Sequence, residues 1–303
     1  MSLPTPVSEL WNVWREIEGN VRRTVMVNLL GPAGESRDAV KALFLERSSR
    51  PGSMRVLELS GEAPPEADLH LILVDAAFGP TSSQSAALRR INPKDMMAIM
   101  VGVGEEQAES RRREVAVAIG VRAEQVVTAS SLSDLRAHLP KRMIHLFDEH
   151  AVPLARQFPF LREESANQEL NATSQQNAMV GVIPVPGADM PIMTANQIKM
   201  VLRLAAIYDQ PMTFDRAKEV MAVVGGGLAL RTAARQVAKF IPGPGWIVGG
   251  VLGYGGTLAM GKAAIEYFKR GTEPAESRQK PRQDPAKTVI DAEAEVVEDE
   301  RAR

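Results

Sequence analysis

Between Thr24 and His145 short apolar runs alternate with amphipathic stretches, and no other feature constrains the fold of this chain as tightly. The runs Thr24 to Leu30, Met54 to Ser60, Leu69 to Ala76, Met96 to Val103 and Gln125 to Ala129 have the length and residue types of strands. Glu35 to Arg47, Thr81 to Arg90, Glu105 to Ile119 and Leu132 to His145 carry helical periodicity instead. Strands alternating with helices predict a mostly parallel sheet with crossover helices. Leu69-His70-Leu71-Ile72-Leu73-Val74 is nearly continuous in apolar character, as a strand covered on both faces requires. Residues 21–150 are therefore expected to form an α/β domain.

Other segments flank it. Thr5-Pro6 followed by Val7, Leu10, Trp11, Trp14 and Ile17 has the cap, first-turn proline and stripe of an amphipathic helix over residues 1–20. Such a helix suits a cover for the neighbouring domain or an interfacial membrane anchor. Residues 151–176, with Pro153, Pro159 and a polar stretch from Glu163, read as a linker or a short connecting helix. Residues 177–271 read as an all-α, Gly-rich domain opened by Ile183-Pro184-Val185-Pro186-Gly187, a corner echoed at Ile241-Pro242-Gly243-Pro244-Gly245. Thr194-Ala195-Asn196-Gln197 has the form of a capping box for a helix running to Tyr208, with Asn196, Lys199, Arg203 and Gln210 as its polar strip. Asp189 suits a cap or a partner contact. Residues 272–303 are dominated by charged and small residues and predict a disordered tail. Within it Thr288-Val289-Ile290-Asp291-Ala292-Glu293 reads as a short docking segment.

Composition excludes several chemistries. The chain has no cysteine, so disulfides, thiolate zinc sites and thiol nucleophiles are out. A formal net charge of −1 gives no reason to expect nucleic acid. Met1 to Gly19 has prolines and charges where a signal peptide needs an apolar core, which predicts a cytoplasmic start. His145 and His150 are spaced wrongly for metal ligands on one helical face, and no nucleophile–base pair is evident.

The order of elements in the first domain is similar to that of P-loop GTPases. Their phosphate loop follows the first strand and needs glycines, a lysine for the phosphates and a hydroxyl for magnesium. Here the place reads Gly31-Pro32-Ala33-Gly34-Glu35-Ser36-Arg37-Asp38, with Arg37 where the lysine belongs and Asp38 where the hydroxyl belongs. Glu35 and Asp38 would repel a polyanion. The D-x-x-G place reads Glu58-Leu59-Ser60-Gly61, the guanine-reading N-K-x-D place reads Val101-Gly102-Val103-Gly104-Glu105, and Thr128-Ala129-Ser130 resembles the S-A-K loop. The loop keeps its shape without its chemistry. Gly31, Gly34 and Arg37 are the residual nucleotide-site candidates.

The second domain resembles the bacterial domain-of-unknown-function family 697. The likeness rests on Ile183 to Pro191, Gln197-Ile198-Lys199-Met200-Val201, Gly225-Gly226-Gly227, Ile241 to Gly245 and Gly261-Lys262-Ala263-Ala264-Ile265-Glu266-Tyr267-Phe268, and covers residues 177–271. That family commonly follows Era-like GTPase domains and is often regarded as membrane-associated. The resemblance therefore implies a degenerate Era-like GTPase domain ahead of it, and residence at the inner membrane face.

Independently of the family, Gly245, Gly249, Gly253, Thr257 and Gly261 recur every four residues in a segment containing Trp246. Such a ridge permits close helix contact, in a membrane hairpin or in a tight soluble pair alike. From Met190 to Arg270 ten basic residues face four acidic ones, a net charge of +6. Arg231, Arg235 and Lys239 share one helical row suited to anionic headgroups. The expected contact residues are Arg231, Arg235, Lys239, Gly249, Gly253, Gly261 and Trp246. The expected function is a non-catalytic GTPase-like scaffold or regulator with a protein partner at or near the membrane, needing no cofactor. A divergent GTPase with GTP and magnesium is the alternative, and a homo-oligomer built on the ridge is a third.

Overall fold

The computed structural model of the chain describes Gly19 and residues 23–182, 189–210 and 245–272. The expected amphipathic helix, apart from Gly19, lies outside the described residues, as do Arg231, Arg235, Lys239 and the tail beyond residue 272. So do the Ile183 to Gly187 corner, nearly all of the Ile241 to Gly245 corner and the Gly225-Gly226-Gly227 stretch.

The first 130 or so described residues form the expected α/β layer. Strands β1 (Val27–Leu30), β2 (Met54–Leu57), β3 (Leu69–Leu73), β4 (Met96–Val101) and β5 (Val126–Ala129) make one sheet in the order β2-β1-β3-β4-β5. Every pairing is parallel. All residues of β1 and β3 are buried, because helices cover both faces. Helices α1 (Glu35–Leu45) and α4 (Leu132–Leu146) lie on one side, and α2 (Ser82–Leu88) and α3 (Glu105–Ile119) on the other. Strands β2, β3 and β4 end two or three residues before their apolar runs do, since those runs leave the sheet as loops at its C-terminal edge. Thr81, expected as the first residue of its helix, is the cap instead: its hydroxyl accepts from Gln84 N and its own N–H donates to Gln84 Oε1.

One crossover has no helix. From β2 to β3 the chain runs as the loop 58–68, held by Asn28 Nδ2 donating to the Pro65 carbonyl at 2.7 Å and by Asp68 accepting from Met26 N at 2.8 Å.

The segment expected as a linker is part of the core. Helix α5 (Ala151–Gln157) and the 21-residue helix α6 (Arg162–Val182) fill residues 151–182 almost completely. Phe44 of α1 packs edge-on against Phe158 and Phe160, with centroids 5.1 and 4.8 Å away. Buried Gln157 closes the joint. Its Oε1 accepts from Val25 N at 2.6 Å, while its Nε2 donates to the Val25 carbonyl at 2.9 Å and to Ser53 Oγ at 3.1 Å. A side-chain amide thus stands in for a neighbouring strand just ahead of β1.

Helix α6 packs with α7 (Asp189–Ile207) and α8 (Gly245–Thr272) into a three-helix layer. The backbone of α7 is already helical at Asp189, so Thr194 is inside the helix and the expected capping box is displaced. Pro191 sits in the first turn, where no intrahelical N–H donor is required. Salt bridges Arg203–Glu169 at 3.1 Å and Lys269–Glu163 at 3.6 Å tie α7 and α8 to α6. A single cluster of buried apolar residues extends from Val25 and Leu71 in the sheet to Leu170, Met200, Met260 and Phe268 in the helices. Sheet and helical layer are therefore joined by one core.

Candidate functional site

In a doubly wound sheet the crevice for a ligand forms outside the carboxyl ends of the strands, where the strand order reverses. Here the reversal falls at β1, which lies between β2 and β3. A cleft of about 390 Å³ opens at that point, lined by the loop 32–37, by Leu73 to Ala77 after β3 and by Val101. The sequence-predicted phosphate loop is therefore in the right place for a ligand.

Its backbone is built for close approach. A Cβ on Gly31 would lie 2.8 Å from Leu73 Cβ and 3.1 Å from the Leu73 carbonyl, so only glycine fits where β1 leaves the sheet. Gly31 N donates to the Leu57 carbonyl at 3.2 Å. Gly34, at φ 154°, turns the chain into α1, whose first turn has no side-chain cap.

The side chains act otherwise. Arg37 does not reach into the cleft as a free cation: its Nη1 donates to the Gly31 carbonyl at 3.2 Å. Glu35 and Asp38 occupy the first turn of α1, where they complement the helix dipole and oppose an incoming anion. Asp75 on the opposite wall folds its own loop, accepting from Ala77 N at 2.8 Å and Phe78 N at 3.0 Å. That turn holds Phe78 outward with 89% of its surface exposed.

The neighbouring loops are likewise tied to one another. Gly102 N and Val103 N both donate to the Ala129 carbonyl, at 2.8 and 3.0 Å. Ser130 gives its N–H and hydroxyl to Asp134 Oδ2, at 2.8 and 3.1 Å. Those two bonds, the backbone one first, hold the Asp134 carboxyl below the ordinary carboxylate range. Gln84 Nε2 donates to the Leu59 carbonyl, and Gly61 packs on Ser83.

The helical layer places Gly253, Thr257 and Gly261 of the glycine ridge inside the chain. A Cβ on Gly253 would come within 2.5 Å of the Asn177 carbonyl, and one on Gly261 within 2.2 Å of Leu170 Cδ1. Both glycines, expected at a membrane or partner surface, face α6. Trp246 and Gly249 belong to the same helix α8. Between the two buried glycines, Thr257 Oγ1 accepts from Asn177 Nδ2 at 2.9 Å and Gln197 Nε2 at 3.0 Å, and donates to the Gly253 carbonyl at 2.7 Å. Asn196 adds a bond to Asn177 Oδ1 at 2.9 Å. Sequence reasoning puts Asn196 and Arg203 on an outward polar strip, whereas both bond to α6. It gives no role to Asn177 or Gln157, and it reads Gln197 as part of a capping box rather than as a partner of Thr257. Only the unusual density of small residues in α8 hints that polar groups can be buried there. Among the described residues no helix is long and apolar enough to cross a membrane.

This geometry defines a class: a doubly wound α/β domain with a cleft at the C-terminal edge of its sheet, joined through one core to a helical layer. Residues 160–293 match the family described as "Domain of unknown function (DUF697)", so that domain is found in the chain and is wider than residues 177–271. The chain is also similar to "Magnetosome membrane protein 22" of Magnetospirillum gryphiswaldense (strain DSM 6361 / JCM 21280 / NBRC 15271 / MSR-1). The two are 29% identical over 98 residues, which cover 30% of this chain and 50% of the relative. The chain thus spans about half the length of the curated relative it matches. No solved structure matches it.

Proposed function

We propose that the chain is a non-catalytic, GTPase-like scaffold or regulatory protein that acts through protein contacts at or near the inner membrane surface. The observation that carries this reading is the contact of Arg37 with the Gly31 carbonyl. The only cation within the phosphate-type loop is held by the loop itself, flanked by Glu35 and Asp38. A triphosphate would have to displace that contact and sit between two carboxylates in a site of reduced dielectric. The membrane part of the reading is supported by the name of the magnetosome relative and by the basic balance of residues 190–270.

Calorimetric titration with GTP and GDP, each with and without magnesium, tests the first part. No binding is expected at millimolar nucleotide, and tight magnesium-sensitive binding would sink it. Flotation with vesicles tests the second: retention on anionic but not zwitterionic vesicles, lost on raising salt, is expected. A divergent GTP-binding protein is the alternative. It is favoured by the buried Nε of Arg37, which has no hydrogen-bond partner, and by the uncapped first turn of α1. It requires magnesium-dependent binding that disappears in Arg37→Ala.

A further inference from the structure

Gly253 and Gly261 of the glycine ridge are used up in contacts within the chain, so a homo-oligomer needs another surface. One is present at the far edge of the sheet. Among the described residues β5 pairs with β4 only, and a cleft of about 230 Å³ runs along its outer side between α3 and α4. Val126 and Val127 of β5 are themselves buried, so the face is made by the two helices that border the strand.

Each helix contributes one row to it. Glu105, Ala108 and Arg112 share a face of α3, and Asp134, His138 and Arg142 share a face of α4. The helices cover opposite faces of the sheet and both return antiparallel to its strands. Glu105 and Asp134 therefore lie toward the C-terminal end of β5, and Arg112 and Arg142 toward its N-terminal end. Little inside the chain neutralises these ends. Arg112 has Glu109 at 3.7 Å, while Glu105 and Arg142 form no ion pair among the described residues. Asp134 is bonded to Ser130 and His138 and keeps 33% of its side chain exposed.

A row that is acidic at one end and basic at the other is complementary to a copy of itself turned end for end. Two rotations can set this face against a second copy. An axis along the strand would bring like ends together, Glu105 beside the second copy's Asp134 and Arg112 beside its Arg142. An axis normal to the sheet sets α3 against α3 and α4 against α4 with their ends reversed. Glu105 then meets the second copy's Arg112 on one face of the sheet, and Asp134 meets its Arg142 on the other. The charges thus select the second rotation and oppose the first. The paired ends are about 10 and 12 Å apart along their helices, at roughly 1.5 Å per residue, and the midpoints fall beside Ala108 and at His138. The small Ala108 lets the two α3 helices approach.

We propose that the face formed by α3, β5 and α4 is the interface of a homodimer whose two-fold axis is normal to the sheet. Its ion pairs are Glu105–Arg112 and Asp134–Arg142, each formed twice. Such pairs are individually weak, which makes the dimer reversible and sensitive to salt. The helical layer joins the core on the α1 and α4 side of the sheet. A rotation normal to the sheet keeps both helical layers on that side of the dimer, where one surface can hold both, and turns the two clefts at β1 in opposite directions.

Sedimentation equilibrium of the full chain tests the proposal. A monomer–dimer equilibrium is expected at low salt, shifted toward monomer as salt rises. Arg112→Glu and Glu105→Arg each put like charges together twice per dimer, and each is expected to weaken association about ten-fold or more. An equal mixture of the two variants is expected to restore it, since the α3 pairs between unlike subunits are again of opposite sign. Recovery requires both variants to be folded, so a folding defect cannot imitate it. Arg142→Glu repeats the loss from α4 and does not depend on how α3 tolerates substitution. A chain that stays monomeric at low salt at every concentration overturns the proposal, as does a dimer that survives Arg112→Glu and Arg142→Glu. Weakening by both α3 variants without recovery in their mixture overturns the axis normal to the sheet, and the proposal with it.

Discussion

Glycine does the same physical work at two ends of this molecule, with opposite consequences for its surface. At Gly31 the missing Cβ lets β1 leave the sheet against Leu73, and the loop beyond it borders an open cleft. At Gly253 and Gly261 the missing Cβ lets α8 press onto α6, and no surface is left. The comparison teaches that a ridge of small residues predicts close approach, while its ownership is decided by which helix of the same chain lies nearest.

The sharpest way to break this comparison is to fill the ridge. Gly253→Val drives a side chain into the Asn177 carbonyl, and backbone cannot yield as a flexible side chain does. A loss of about 3 kcal/mol in denaturant unfolding is expected. Gly255 sits in the same helix, and a Cβ there would meet nothing within 4 Å. Gly255→Ala should therefore stabilise the protein by up to about 1 kcal/mol, from helix propensity alone. Equal losses at both positions would mean that the ridge does not face α6.

A second variant probes the joint between the two regions. Gln157→Ala leaves the N–H and carbonyl of Val25 buried without their partner. About 2 kcal/mol should be lost. Hydrogen exchange at Val25 should accelerate with it; a loss confined to α6, α7 and α8 would show that the amide serves the helices rather than β1.

How much of this is legible in the sequence follows from the same comparison. Strands β1 to β5 and helices α1 to α4 are readable because apolar periodicity survives wherever large side chains fill a core. The loop at Gly31 is readable because its glycines and its neighbours are adjacent in sequence. Helix α6 reads as a linker because its buried face carries Ser165, Thr173, Ser174 and Asn177 beside few large apolar residues. That face is polar because the glycines of α8 bring two backbones together and leave room only for small or hydrogen-bonded groups. Neither half of the pair makes sense without the other, and 80 residues separate Asn177 from Thr257. Gln157 is more remote still from Val25, with nothing local to mark it as a strand cap.

The smallest expected effect is electrostatic, and it sharpens the contrast between an open cleft and a filled helical layer. Glu169 of α6 is half-buried, and that desolvation raises its carboxyl above the ordinary glutamate value despite Arg203 at 3.1 Å and a bond to Thr173. Desolvation outweighs attraction there, so the folded state binds the proton more readily than the unfolded chain does. Stability contributed by this group must then rise as pH falls through the raised value toward the ordinary one, and fall again as pH rises. Glu169→Gln removes the titration. Relative to that variant, the wild-type chain should gain stability on acidification from neutral pH to just above the ordinary glutamate range, measured as the difference in denaturation midpoints. The opposite slope would mean that Arg203 dominates, and that water reaches this pair as freely as it reaches Glu35 and Asp38 beside the cleft.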